Sequence, residues 1–225
     1  MFVFGCPIGS EEKFARYAGP SIDAVREPDS LVVELRDQSS IFEAYNQVLE
    51  LATEEPQLEG VVLLHEDLEI DDSAFLEKLR QTFADPEVWI AGAIGGHGVN
   101  APTWWGCDGW VGQVLWDPAP LSRRPRRRSR MQPIAAKGTP RSADVDMLDG
   151  LLLVLSAEAA RALRFDESLG PGFHQYDSDI CLQARARAKR VRVEPLDVIH
   201  HTFSNLADPQ SYARAHARMA HKWGL

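Results

Sequence analysis

GVVLLHED, residues 60–67, is the segment from which the architecture of this chain follows most directly. Gly60–Leu64 is apolar throughout, which is typical of a strand buried on both faces of a parallel sheet. The strand runs directly into His65, Glu66 and Asp67, whose side chains exchange protons and ligate metal ions. We therefore expect a central strand that ends at a functional site.

Strands and helices are predicted to alternate around this segment. Other apolar runs, each typical of a strand, cover residues 2–6, 31–35 and 88–94. Amphipathic patterns between them predict helices that begin at Ser10, at Ser40 (with Glu43 as a capping box) and at Asp72. This alternation predicts an α/β fold with a mostly parallel mixed sheet flanked by helices. Ligands of such sheets bind beyond the carboxyl ends of the strands, where Cys6-Pro7, Arg36-Asp37 and His65–Asp67 fall.

The pattern changes between residues 96 and 145, which we expect to be an insertion or a flexible loop. It begins with a Gly- and Trp-rich stretch and continues with six arginines between Arg123 and Arg130. Such a charge run is usually a solvated loop, although it could also meet an anionic group of a ligand. Tryptophans such as Trp105 could stack on a sugar or base, or belong to the core.

Regular structure is predicted again from Gly150 onward. A strand over residues 150–155 precedes a helix in Phe173–Arg187, which reads FHQYDSDICLQARAR. Asp177 and Asp179 lie at the start of that helix, where carboxylates also serve simply as caps. His200 and His201 follow a late strand, and a last helix ends near Trp223.

Composition bounds the class of protein. The 225 residues suit one domain spanning residues 1–225. A formal net charge of −9 argues against a nucleic-acid partner, and no apolar run is long enough for an integral membrane segment. Three widely spaced cysteines and the absence of a signal-peptide pattern lead us to expect a cytoplasmic location.

The candidate site residues combine carboxylates with imidazoles. Carboxylate oxygens with imidazole nitrogens suit Mg²⁺ or Mn²⁺, which neutralises a departing diphosphate, and a separate carboxylate can act as general base. The sequence contains no GxSxG elbow, GxxxxGK[ST] loop or HExxH helix. A metal-assisted transfer reaction therefore fits these residues better than the reactions that those motifs serve.

Five short motifs resemble those of GT-A-fold glycosyltransferases, of the family 2 type and its small bacterial relatives. His65-Glu66-Asp67 occupies the place of the family's Asp-x-Asp-like motif, and Tyr176–Ile180 resembles its Glu-Asp-x-Asp-Leu. The other three motifs are Ala44-Tyr45-Asn46, Arg164–Glu167 and Val198-Ile199-His200. The motifs occur in the family's order along the chain.

The resemblance implies transfer of a sugar from a nucleotide-diphosphate donor to an acceptor hydroxyl, with inversion. It implies that the nucleotide sugar contacts Cys6, Pro7, Asp37, Asn46 and Glu66, and that Asp67, His200 and His65 hold Mn²⁺ or Mg²⁺. Asp177 would be the general base. The acceptor, a saccharide, lipid-linked or small molecule, would lie beside Asp149, Gly150, Tyr176 and Trp105.

Two departures from the family pattern keep alternatives open. His65 replaces the first acidic residue of the metal motif, and Tyr176 replaces the Glu beside the base. A catalytically silent protein that binds a nucleotide sugar or a protein partner is therefore the main alternative. A nucleotidyltransferase is less favoured, since the segment after the first strand is acidic and poor in Gly.

Overall fold

The computed structural model describes residues 1–117, 132–135, 141–201 and 209–225. Thirteen strands lie in these ranges, in chain order β1 (Phe2–Ile8), β2 (Leu31–Arg36), β3 (Gly60–Leu64), β4 (Leu68–Ile70), β5 (Val88–Gly92), β6 (Ile94–His97), β7 (Gly109–Trp116), β8 (Gln132–Ala135), β9 (Ala143–Val145), β10 (Met147–Leu148), β11 (Leu152–Ser156), β12 (Arg190–Val193) and β13 (Val198–His200). The described helices are α1 (Glu11–Arg16), α2 (Ala18–Val25), α3 (Ile41–Thr53), α4 (Phe75–Phe83), α5 (Ala157–Ala162), α6 (Tyr176–Ala186) and α7 (Pro209–Trp223). The predicted role of the Arg123–Arg130 run lies outside the described residues.

The main sheet has seven strands in the order β2-β1-β3-β11-β5-β12-β9. β1, β2, β3, β5 and β12 run in one direction, while β11 and β9 run in the other. The prediction of a mostly parallel mixed sheet flanked by helices is confirmed. Because β11 is antiparallel to β3, the start of β11 lies at the carboxyl end of β3. Gly150 thereby reaches the edge where ligands are expected.

A second sheet extends this edge. Its strands follow the order β10-β6-β7-β13-β4, with β8 paired to β7. The single strand predicted over residues 88–94 is wrong, since the chain leaves the main sheet after Gly92 and enters the second sheet at Ile94. Of the interval expected to be an insertion or flexible loop, residues 96–117 are largely strand and a 3₁₀ turn at Trp104–Gly106.

Helix starts were predicted with mixed success. The helix expected from Ser10 divides at Tyr17 into α1 and α2, since the backbone of Tyr17 is not helical (φ −126°, ψ −76°). The capping box at Ser40 is wrong, because the Ser40 side chain makes no cap hydrogen bond. Ser10, in contrast, accepts a 3.4 Å hydrogen bond from Lys13 N and caps α1.

The core lies between the main sheet and its helices. β3 and β11 are buried along their whole length, as expected of central strands. Helix α3 packs so closely on β1 that a Cβ at Gly5 would lie 2.6 Å from Val48. The three cysteines are free and buried. Among the described residues, no helix combines the length and apolarity needed to cross a membrane.

Candidate active site

A cavity of about 340 Å³ opens at the carboxyl ends of β1, β2 and β3. The residues that line it come from the last residues of β1, the segments following the three strands, the first residue of α3 and the loop before α6: Pro7, Ile8, Gly9, Asp37, Gln38, Ile41, His65, Glu66, Asp67 and Phe173. The structure therefore brings Pro7, Asp37 and His65–Asp67 together, as the alternation of strands and helices predicts.

Glu66 connects two sides of this cavity. Its Oε2 accepts hydrogen bonds from the backbone amides of Gly9 (2.5 Å) and Ser10 (2.6 Å). These bonds hold the segment between β1 and α1 against the end of β3. Hydrogen bonds to a charged carboxylate are stronger than those between neutral groups, so the two bonds fix this segment firmly in place.

His65, Asp67 and His200 form a cluster whose ligand atoms all lie within 4.8 Å of one another. His65 and Asp67 follow β3, while His200 ends β13, where it pairs with Leu68 of β4. Nε2 of His200 lies 3.2 Å from Oδ1 of Asp67. Two imidazoles and one carboxylate suit a borderline divalent cation such as Mn²⁺.

The environment of the cluster favours forms that can ligate a metal. Burial acts to raise the pKa of Asp67, but hydrogen bonds and charge from His200, together with His65 and Lys13, hold this pKa well below its usual range. Burial lowers the pKa of His65. Asp67 is thus ionised and His65 neutral at physiological pH, as metal ligands must be.

Tyr176 orients His65. Its buried hydroxyl donates to the carbonyl of Gly150 (3.0 Å) and lies 2.7 Å from Nε2 of His65. Because the hydroxyl proton goes to Gly150, the oxygen accepts from Nε2–H, which leaves the lone pair of Nδ1 free. A Cβ at Gly150 would collide with the Tyr176 hydroxyl. Only glycine fits at position 150.

Asp177 lies in the first turn of α6, as predicted, and is connected to the same group of residues. Its Oδ2 accepts from Gly150 N (3.0 Å) and its Oδ1 from Ser178 N (2.8 Å). Burial, and then the charge of Asp149, raise the pKa of Asp177 to about 7. A carboxyl group with this pKa can accept and release a proton near neutral pH.

Helix α7 supports the start of α6 through Asp179. This carboxylate is almost fully buried and accepts from Nε1 of Trp223 (2.8 Å) and from Gln183 (2.8 Å). Lys222 adds an ion pair at 2.7 Å. Asp179 therefore holds the last helix against the one that carries Asp177.

His200 and His201 have different surroundings. His201 is fully buried, lies 3.0 Å from Asp117 and 2.7 Å from Glu69, and stacks on Tyr17. It therefore packs inside the fold, whereas His200 belongs to the cluster with Asp67.

Several predicted site residues lie elsewhere. The Cys6 side chain is fully buried beneath the cavity. Nδ2 of Asn46 donates to Phe165 O and Glu167 Oε1, and its Oδ1 accepts from Phe165 N. Asn46 therefore joins α3 to the segment before α6 and is not among the residues that line the cavity. Trp105 is exposed on its 3₁₀ turn and is not among the residues that line the cavity. Asp149 bonds to Leu151 N and acts on the site through Asp177.

Sequence reasoning missed Lys13. Its Nζ lies 3.0 Å from Oδ2 of Asp67 and 3.9 Å from Oε1 of Glu66. Nothing in its local sequence distinguishes it from other lysines on helices, because its partners are more than fifty residues away.

Comparison with known proteins agrees with this geometry. The family model described as "Glycosyltransferase like family" matches residues 10–222. The streptomycin biosynthesis protein StrF of Streptomyces griseus is 29% identical over 216 residues, which cover 92% of this chain and 70% of StrF.

Two solved structures share the fold at low identity. A197 from STIV has a TM-score of 0.55 and 11% identity, covering 90% of this chain and 86% of A197. GalNAc-T7 with UDP, GalNAc and Mn²⁺ has a TM-score of 0.60 and 9% identity, covering 98% of this chain and 47% of that one. Since the family model spans nearly the whole chain and a GT-A enzyme shares its architecture, the protein belongs to the glycosyltransferase-like family and is a family 2-like glycosyltransferase with the GT-A fold.

Proposed function

We propose that the protein transfers a sugar from a nucleoside-diphosphate donor to an acceptor hydroxyl, with inversion and with a divalent cation at His65, Asp67 and His200. One observation carries this proposal. The cavity is continuous with the three-residue cluster through His65 and Asp67, and the cluster is joined to Asp177 through Tyr176 and Gly150. The proposed donor pocket, metal site and base are therefore linked by direct contacts between their residues.

The cluster of His65, Asp67 and His200 has the chemistry to hold a divalent cation that would interact with a diphosphate. Asp67 offers an ionised oxygen, and the contact with Tyr176 leaves Nδ1 of His65 available. When bound, such an ion supplies positive charge that neutralises the diphosphate as it departs. The cavity lies directly beside these ligands and would hold the nucleotide, with Pro7 and Asp37 near the base or ribose and Glu66 closing the side toward α1.

Asp177 is the proposed general base. Its two backbone amide donors fix the orientation of the carboxylate, and its raised pKa suits removal of a proton from an acceptor hydroxyl. A hydroxyl activated on one face of the sugar while the diphosphate leaves from the other gives inversion. The charge of Asp149 helps to raise the pKa of Asp177. Gly150 positions Asp177 through its backbone amide, and Tyr176 positions His65.

The names of the similar proteins narrow the range of candidate donors and acceptors. The GalNAc-T7 structure contains UDP and Mn²⁺, which favours a uridine donor here, and StrF is named for streptomycin biosynthesis, which favours a small-molecule acceptor. A Streptomyces relative also favours a bacterial enzyme. The three free and buried cysteines favour a reducing compartment such as the cytoplasm.

Calorimetric titration tests the proposal. UDP, GDP, TDP and CDP are each titrated with Mn²⁺ and with EDTA, using the wild type, Asp67→Asn and Asp72→Asn. Asp72 is a matched control, since it is also buried and paired with a lysine, but its partners lie away from the cavity. We expect one nucleotide to bind with Mn²⁺, and this metal-dependent part to be lost only in Asp67→Asn.

The other outcomes separate the alternatives. If a nucleotide binds equally well with Mn²⁺ and with EDTA, the proposed donor pocket is supported and the proposed role of a divalent cation is refuted. Absence of binding for all four nucleotides would reject the proposed donor site. The catalytically silent, partner-binding alternative would then be favoured.

A further inference from the structure

Lys13 occupies an unusual position beside the candidate metal site. Its ammonium group is 3.0 Å from Oδ2 of Asp67, whose Oδ1 is 3.2 Å from His200. The carboxylate that would ligate a cation therefore already has a positive partner from the protein. This contact is not explained by a metal site alone.

We propose that Lys13 is a second cation of the donor site, which pairs with Asp67 in the absence of a divalent ion and binds the donor diphosphate when that ion is present. The inference rests on the proposed function. It assigns to Lys13 a direct contact with the substrate and makes it a competitor of the metal for Asp67.

Charge repulsion between the two cations favours such an exchange. A divalent ion held by Asp67, His65 and His200 would lie within a few ångströms of Nζ, where two positive charges repel strongly. Glu66 does not offer Lys13 an equal alternative, since its nearest oxygen is 3.9 Å away and its other oxygen already accepts from Gly9 and Ser10. A diphosphate in the cavity would provide the anionic oxygens that both cations need.

The local structure permits the exchange. The lysine side chain has a flexible four-carbon stem and a compact charge, and that of Lys13 is 28% exposed. Its backbone is meanwhile held close to the end of β3, because Glu66 ties Gly9 and Ser10 to the segment that carries Asp67. The ammonium group can therefore move toward the cavity while α1 stays in place.

A structural ion pair is the competing explanation, and the sign of the effects distinguishes it. Loss of a structural pair would weaken all ligands together through the fold. Loss of a competing and phosphate-binding cation would instead tighten metal binding and weaken phosphate binding.

The experiment uses Lys13→Met with two probes, Mn²⁺ alone and inorganic pyrophosphate in saturating Mg²⁺, each followed by calorimetry. Removal of the positive charge beside Asp67 should lower the Kd for Mn²⁺ about tenfold, while the Kd for pyrophosphate should rise about tenfold. Lys13→Arg should retain pyrophosphate binding. Lys78→Met is the matched control, since Lys78 pairs with buried Asp72 at 2.7 Å and is 31% exposed, and it should change neither affinity.

Each result decides the inference. Unchanged affinities in Lys13→Met, or two affinities that weaken together as in a damaged fold, would overturn it. If the wild type binds a nucleoside diphosphate with Mn²⁺ but Lys13→Met behaves like Lys78→Met, only this inference fails. If the wild type binds no nucleotide, the proposed function fails separately, and the Mn²⁺ titration still tests the competition between Lys13 and the metal.

Discussion

Replacing Asp177 by Asn should abolish glycosyl transfer and should make the fold more stable relative to the wild type as pH rises. The amide has nearly the shape of the carboxylate, and its oxygen can still accept from Gly150 N, which Asp177 engages at 3.0 Å. Its NH₂ group cannot accept from Ser178 N, which bonds to the other carboxylate oxygen in the wild type, so the variant also carries a cost that does not change with pH. It cannot take a proton from an acceptor hydroxyl, so turnover should fall by a factor of at least about 10². Donor binding should be preserved, because Asp177 is not among the residues that line the cavity.

The stability gain follows from the raised pKa of Asp177. Burial and Asp149 raise this pKa from 3.8 to about 7 in the folded state, whereas the unfolded chain retains the ordinary value. Between these two values the folded state binds more protons than the unfolded state, so the carboxyl group destabilises the fold progressively as pH rises. Above pH 7 the deficit is complete and amounts to about 4 kcal/mol at most, at roughly 1.4 kcal/mol per pKa unit.

Urea unfolding at several pH values between 4 and 8 measures this effect. The stability of the variant relative to the wild type should rise by ~1–4 kcal/mol between pH 4 and pH 8. Asp166→Asn is a control of opposite sign. Although burial acts to raise the pKa of Asp166, Lys222 and Ser168 lower it below its ordinary value. Its removal should therefore cost stability throughout this pH range, because the contribution of such a carboxyl is lost only as pH falls through the lowered pKa.

The rate of the wild type should show the same ionisation. Because the proposed base is active only when ionised, kcat/KM should rise with pH through about 7 and then level off. Substantial turnover by Asp177→Asn, or a stability difference that does not grow between pH 4 and pH 8, would refute the reasoning.

Two further substitutions test the contacts that position the proposed base, Asp177. Gly150→Ala should destabilise the protein by ~1–3 kcal/mol and lower kcat, because the new Cβ would push the Tyr176 hydroxyl away from His65. Urea unfolding measures the loss of stability, and steady-state kinetics measure the change in kcat. Trp223→Phe should cost ~1–3 kcal/mol in urea unfolding, because it removes an indole donor from the buried Asp179 carboxylate.

These two predictions have internal controls. Gly9→Ala should leave stability nearly unchanged, since its Cβ would meet Glu66 at an ordinary 3.8 Å. Trp105→Phe should do the same, because Trp105 is 47% exposed. Equal losses in a variant and its control would mean that the contact with Tyr176, or with Asp179, is not what stabilises the fold.

The sequence predicts those parts of the fold that depend on local patterning. Continuous apolar runs identify β3 and β1, and helical spacing of apolar residues identifies α3, because these patterns reflect which faces are buried. It does not predict the break between β5 and β6 or the reversed direction of β11. Both depend on which strand lies alongside, and such pairings join distant segments.

The candidate site divides in the same way. His65, Asp67 and His200 are recognisable from the order of motifs along the chain. Tyr176 and Lys13 are not recognisable as parts of that cluster, because their contacts with His65 and Asp67 join residues 111 and 54 positions apart. Asn46 is the opposite case. It belongs to a family-like motif and was therefore expected at the nucleotide sugar, but its side chain forms buried hydrogen bonds with the backbone of Phe165.

The opposite perturbation of two carboxylates gives the strongest physical reason to read this site as an active site. Asp67 faces imidazoles and an ammonium group, which hold its pKa low, whereas Asp177 faces burial and Asp149, which raise its pKa to about 7. One carboxylate is thus kept ionised, as the proposed cation would require, and the other is able to gain and lose a proton near neutral pH. Packing alone does not require this division, and it is the arrangement by which enzymes assign separate roles to two acidic groups.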